Sequence, residues 1–185
     1  MTDTAIPADG KRTEVHWYVM RAYKNEKMAE DKLKVEEIEH FIPKCYAMRV
    51  YHGVKSKRLV PAIPSLIFVH ASHSEITDFK KRYNVLQFAM WKKTTGLEYL
   101  IVPDEQMENF KKVASHYEED ITYLRPDEIE LKKGTHVRIH GGKFDGVTGM
   151  FMRIQGKRNR RIVVMLEGIM AIAAEVHPDL IEVIP

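Results

Sequence analysis

The sequence predicts an α+β protein in two parts: an antiparallel sheet with helices packed on it, then a small all-β barrel. Three observations carry this. Before Tyr117, apolar residues recur at helical spacing in three segments that separate strand-like runs. After Glu130, every patterned segment has a period of two. Between Val137 and Ile154 one such strand breaks into a turn carrying Gly141, Gly142 and Gly146, then resumes as another through Gly149.

The elements follow in order. The run His16 to Arg21 is aromatic and β-branched, as a strand should be, and the charged stretch after it keeps Met28, Ala29, Leu33 and Ile38 as apolar positions of a helix. Strand-like residues return from Phe41 to Val50 and from Leu59 to Val69, with Gly53 and the basic run KSKR marking a hairpin between them. Ser72 and Glu75 have the spacing of a capping box, which satisfies free backbone donors at a helix start; Ile76 and Phe79 form that helix's apolar stripe. Val85 to Trp91 reads as a further strand. Pro103, Asp104 and Glu105 open a third helix, whose positive dipole end favours carboxylates and whose buried face is Met107, Phe110, Val113, Ala114 and Tyr117.

Beyond an acidic, proline-containing lapse the expected strands are Thr135 to His140, Val147 to Ile154, Arg161 to Leu166, Ala171 to Val176 and Leu180 to Ile184. The predicted organisation is therefore a disordered leader over residues 1–14, an α+β domain over 15–117, a linker over 118–130 and a barrel over 131–185. No internal repeat is present.

Composition narrows the functional classes. The 29 Lys and Arg against 26 Asp and Glu leave a net charge of only +3, so any nucleic-acid role must rest on local patches. Cys45 is the sole cysteine, which excludes an internal disulfide and a cysteine-based zinc cluster within one chain and fits a reducing cytoplasm. No run is long and apolar enough to read as a secretory signal or a bilayer-spanning helix. Catalysis finds little support. The pairs His70 with His73 and His136 with His140 lack a third ligand at metal spacing, and the Gly142 to Gly149 stretch lacks the Lys-Ser/Thr of a phosphate loop. A non-enzymatic protein without cofactor or metal is expected.

Two segments carry a family resemblance. The stretch VRIHGGKFDGVTGMFMRI, from Val137 to Ile154, resembles a KOW motif. In the first half, Trp17-Tyr18-Val19 is similar to the opening strand of the NusG family, and Phe41, Ile42 and Pro43 to its second-strand signature. The segment LVPAIPSLIFV, from Leu59 to Val69, resembles the family's Phe-Pro-Gly-Tyr-x-x-Val strand, with Pro64 in the proline position, Ser65 where glycine is usual and Leu66 where tyrosine is. The order and coverage resemble a NusG-type elongation factor: an N-terminal NGN domain, an α/β sandwich, followed by an SH3-like KOW barrel. The stretch LEGIMAIAAEV departs from the housekeeping pattern, because Glu167 stands where an apolar residue engages termination or ribosomal partners, and a carboxylate resists burial there. The chain looks more like the specialised RfaH and UpxY antiterminators of polysaccharide operons.

This resemblance implies a monomeric cytoplasmic factor that binds the clamp region of RNA polymerase and suppresses pausing or termination on selected operons. Carried over by position, the polymerase patch is Trp17, Ile63, Leu66 and Phe68, and an exposed apolar cluster of that kind can dominate an interface. Pattern alone favours plain core for these residues. A second polymerase contact falls at Ser74, Glu75 and Thr77, where an ordinary capped helix is the competing reading. Nascent RNA would meet the turn QGKRNRR through Lys157, Arg158, Arg160 and Arg161, unless this is a solvated hairpin turn. Non-template DNA would meet Lys24, Lys27, Lys32 and Arg82, but Glu26, Glu30 and Asp31 interleave with those lysines and favour a solvated helix face. The rival function is a KOW-containing RNA-binding or ribosome-associated module.

Overall fold

The computed structural model describes residues 13–23, 25–94, 96–125, 128 and 134–185. The leader expected over 1–14 thus lies outside them except for Thr13 and Glu14. In chain order the elements are β1 (Val15–Arg21), α1 (Glu26–Val35), β2 (Glu39–Phe41), β3 (Lys44–Tyr51), β4 (Val54–Pro61), β5 (Leu66–Ser72) and α2 (His73–Tyr83). Then come β6 (Gln87–Phe88), β7 (Met90–Lys93), β8 (Gly96–Tyr99), β9 (Ile101–Val102) and α3 (Asp104–Ala114). The remainder is β10 (Ile121–Leu124), β11 (Thr135–Ile139), β12 (Thr148–Arg153), β13 (Arg160–Leu166), β14 (Met170–Glu175), a 3-10 turn at Pro178–Leu180 and β15 (Ile181–Val183).

The chain divides into two compact units. The first combines the described residues up to Ile42 with Pro64–Pro103; the second combines Pro43–Ile63 with Asp104–Pro185.

In the first unit β1 is the centre of an antiparallel sheet ordered β2-β5-β1-β6, with β9 also on β1. Tyr18, Met20, Ile67, Val69 and Ala71 share one face by strand alternation and form a core with Ala29 and Leu33 of α1 and Ile76 and Phe79 of α2. Trp17, Val19, Leu66 and Phe68 share the other face and are buried as well. That double burial explains the unbroken apolar run Leu66-Ile67-Phe68-Val69. The expected capping box is present: the Ser72 hydroxyl accepts from the Glu75 N–H, and the Glu75 carboxylate accepts from the Ser72 N–H at 2.8 Å.

In the second unit β3 and β4 form a two-stranded ribbon joined by His52 and Gly53, both left-handed (φ 48 and 78), as a tight two-residue hairpin requires. The basic run KSKR therefore lies in β4 rather than in the turn, because the shortest hairpin turn consumes only His52 and Gly53. The remaining strands pair antiparallel in the order β10-β14-β13-β12-β11-β15. This ladder is open, ending at β10 and β15, where the sequence predicts a closed barrel of five strands. The sixth strand, β10, occupies residues 121–124 of the expected linker; it pairs through Ile121↔Ala174 to Leu124↔Ala171, which buries Leu124. Residues 126, 127, 129 and 130 of that linker lie outside the described residues.

Gly149 is fixed by close approach: a Cβ there would stand 2.6 Å from the Val163 carbonyl oxygen on the neighbouring strand. Helix α3 lies against β13 and β14, with Met107, Phe110, Val113 and Ala114 buried, while Tyr117 falls beyond the helix end and is exposed.

Candidate functional site

The apolar positions assigned to polymerase divide between the units. Trp17, Leu66 and Phe68 lie on one face of the β1–β5 pair, where alternation places every second residue, and their exposures are 2%, 2% and 0%. Trp17 stacks on His70 at 4.7 Å. Ile63 falls in the second unit and is half-buried. The exposure that the sequence reading assigns to Trp17, Leu66 and Phe68 is thus not found, because both faces of the β1–β5 pair are buried.

At the start of α2, Ser74 and Glu75 are exposed and Thr77 is half-buried. Their polar atoms serve the helix. Ser74 meets the Ser72 hydroxyl at 3.0 Å, and Thr77 Oγ1 donates to the His73 carbonyl at 2.8 Å. Hydrogen bonds from the Ser72 hydroxyl and N–H hold the Glu75 carboxyl below its ordinary range.

Of the cations on the first two helices, Lys24 lies outside the described residues and Lys27 is exposed. Lys32 sits 5.1 Å over the Tyr83 ring, and Arg82 pairs with Glu36 at 2.7 Å. The Tyr83 hydroxyl donates to the same carboxylate at 2.6 Å, and these contacts hold Glu36 low. Lys32 and Arg82 therefore tie α1 to α2.

The loop between β12 and β13 differs from the uniform basic turn that its sequence suggests. Arg161 is buried, with its guanidinium donating to the carbonyl and the carboxylate of Asp120, and Glu175 lies 3.5 Å away. Lys157 pairs with the same Asp120 at 3.2 Å. Arg161 dominates the depression of the Asp120 pKa, with Lys157 adding to it. The compensating acid comes from just before β10, invisible to a window around the turn. Arg158 and Arg160 remain exposed, and Arg160 lines a cleft with Arg153, Lys157 and Glu128. Two of the four expected RNA contacts are thus structural in large part, and two face solvent.

Lys143, on the glycine-rich turn, pairs with Glu119, which raises its pKa. The tip between β13 and β14 exposes Glu167, whose backbone N–H donates to the Gln106 side chain of α3. Burial pushes the Tyr123 phenol up, and its hydroxyl donates to the Lys44 carbonyl. Among the described residues no group of three His, Cys, Asp or Glu side chains could hold a metal ion, and no helix is long and apolar enough to cross a membrane. The sequence reading passes over one cationic surface, the outer part of the β3–β4 ribbon, because it assigns KSKR to a turn.

An antiparallel sheet with helices α1 and α2 on one face, followed by a unit of strands, is the class of fold described here. Residues 15–111 match the family model described as transcription termination factor nusG. That is more than half of the chain, and the chain belongs to the NusG family. A solved structure from Thermotoga maritima, described as domain interaction in NusG, is similar at 20% identity over 93% of this chain and 98% of that one, with a TM-score of 0.45. No curated protein matches.

Proposed function

We propose that this chain is a transcription elongation and antitermination factor that binds the clamp region of RNA polymerase through its N-terminal part and disfavours paused states. Binding the active form of the enzyme more tightly than the paused form shifts the population without chemistry. The observation that carries the reading is the family match over residues 15–111, which spans the whole β2-β5-β1-β6 sheet and its helices. That sheet has a second apolar face, Trp17, Val19, Leu66 and Phe68, beyond the one that α1 and α2 cover. Engagement requires this face to become accessible, with Ile63 the half-buried member of the proposed patch.

Service to selected operons of the polysaccharide type is the finer reading, supported by the exposed Glu167 at the β13–β14 tip, where a carboxylate opposes an apolar partner. The test is capture of core RNA polymerase by the full chain, comparing wild type with Ile63→Asp and Leu66→Asp. The expected result is several-fold less capture by Ile63→Asp with an unchanged circular dichroism spectrum. Equal capture by wild type and a folded variant would remove the interface.

The second reading is an RNA-binding or ribosome-associated module, favoured by the exposure of Arg158 and Arg160. It predicts RNA affinity lost on Arg158→Gln with Arg160→Gln and no polymerase capture.

A further inference from the structure

The cavity between α3 and the strands of the second unit is bordered by two opposite charges that the fold leaves unpaired. It measures about 660 Å³, within the range of about 300–1,000 Å³ typical of small-molecule sites, and α3, β11, β12 and β13 supply its walls. The pairing register orders its floor. His136 opposite Met150 and Met150 opposite Val163 make one row across three strands; Arg138 opposite Thr148 starts the next, and Met165 follows two residues after Val163 on the same face. Val163 is buried, Met150 and Met165 are half-buried, and the floor is therefore apolar. Helix α3 is fixed beside it by amides. The Asn109 side chain donates to the Thr148 hydroxyl at 3.0 Å and accepts from the Thr148 N–H at 3.1 Å, and the Gln106 oxygen accepts from the Glu167 N–H at 3.3 Å. Glu105, one helical turn before Asn109 and so its neighbour on the helix surface, lines the cavity from that side. Arg138, the cross-strand neighbour of Thr148, lines it from the other. Among the described residues neither the Glu105 carboxylate nor the Arg138 guanidinium has a hydrogen bond or an ion pair, to each other or elsewhere. Glu182 stands opposite Arg138, but its carboxylate takes His140 at 2.5 Å.

We propose that this cavity binds a free α-amino acid with an apolar side chain: Arg138 takes the α-carboxylate, Glu105 the α-ammonium, and Met150, Val163 and Met165 the side chain. Charge complementarity names the class. A simple carboxylate would satisfy Arg138 and bring Glu105 against an apolar ligand, and a simple amine would do the reverse; a molecule with both charges on one carbon answers both. Within a peptide those two charges belong to different residues, so the free amino acid is the occupant that carries them together. The floor selects an aliphatic, thioether or aromatic side chain, and two methionines let it adapt to the shape of each. Bound there, the ligand links α3 to β11. The site is distinct from the polymerase patch and from the Gln155 to Arg161 loop.

The test is a heteronuclear NMR titration of the full chain with L-leucine, L-methionine and L-phenylalanine, read at the backbone amides of Glu105, Arg138 and Thr148. All three are expected to bind, the tightest with a dissociation constant of about 1 mM or lower. Analogues of the tightest that lack either the amino group or the carboxylate are expected to bind at least about tenfold more weakly, as is the amino acid itself to Glu105→Gln and to Arg138→Gln. The losses should match in kind: Glu105→Gln is expected to bind the desamino analogue as well as the amino acid, and Arg138→Gln the decarboxylated one. If Arg138→Gln loses its native circular dichroism, Glu105→Gln carries the test. No shift with any of the three up to about 10 mM overturns the proposal. So does binding that the folded variants retain in full, or wild-type binding of the desamino analogue as tight as that of the amino acid.

Discussion

Arg161 and Asp120 form a bolt between the first residues of β13 and the residue just before β10: a buried guanidinium donates to both the carbonyl and the carboxylate of a largely exposed aspartate. Among the described residues the Arg161 Nε has no hydrogen-bond partner, so the charge is held by its two Nη groups. Because β10 and β13 both flank β14, the pair closes one end of the three-strand segment β10-β14-β13. The same aspartate holds Lys157, so one acid organises half of a loop whose own sequence contains none.

Asp120→Ala is therefore expected to destabilise the protein by about 2 kcal/mol, read as a lower urea midpoint. Stranding one member of a buried pair costs about 3–5 kcal/mol; exposure of the carboxylate and the nearby Glu175 reduce the figure here. The pH dependence has a definite sign. Asp120 titrates in the folded state below its ordinary 3.8, so its contribution is fully present above that value and is lost as pH falls through the depressed one. Asp120→Ala should flatten the acid limb of the stability profile below pH 3.8. An unchanged limb in the variant contradicts the bolt.

The capping box gives a second, smaller expectation of the same sign. Ser72→Ala removes the hydroxyl that accepts from Glu75 N–H and donates to its carboxylate, at a cost of about 1 kcal/mol. It also moves the Glu75 pKa back toward 4.5, shrinking the stability lost below that pH. Thermal unfolding at pH 7 and pH 3 measures both, and an equal difference at the two pH values contradicts the second part.

Gly149→Ala tests the strand contact. Its Cβ would meet backbone, the Val163 carbonyl oxygen at 2.6 Å and carbon at 3.2 Å, rather than a side chain able to turn away. Overpacking of this kind costs about 1–3 kcal/mol. A melting temperature equal to that of wild type contradicts it.

What could be read from the sequence was local. The Ser72–Glu75 box, the Asp104 helix start with Met107, Phe110 and Val113, and the strands around Trp17, Val137 and Val163 depend on neighbours within a turn or an alternation, and they stand where expected, whereas the one strand expected from Leu59 to Val69 is split between β4, ending at Pro61, and β5, starting at Leu66. Most of the misses are non-local. Asp120 reaches Arg161 from forty-one positions away, and no window around QGKRNRR contains it. Burial of Trp17 and Leu66 depends on whether the sheet is covered on one face or two, which apolar strand residues do not distinguish. The KSKR run was misplaced because a hairpin closing on His52 and Gly53 needs no further turn residues.

Ser65 joins a sequence departure to a backbone angle. It stands where the resemblance puts glycine, and its φ of 65 lies in the left-handed region that glycine occupies without cost. Its N–H donates to the Glu26 carboxylate at 2.6 Å, which fastens the turn before β5 to the first turn of α1. Ser65→Gly keeps that donor and relieves the angle, at the price of a more flexible unfolded chain, for a net stabilisation of about 0.5 kcal/mol. Ser65→Val keeps the donor too but puts a β-branched side chain at positive φ, which costs about 1–2 kcal/mol. Glu26→Gln, which weakens the acceptor without touching the angle, should destabilise all three backgrounds alike. Chemical denaturation of the three proteins, each with and without Glu26→Gln, should rank Gly above Ser and Ser above Val. A serine more stable than glycine here would contradict a backbone cost at this left-handed position.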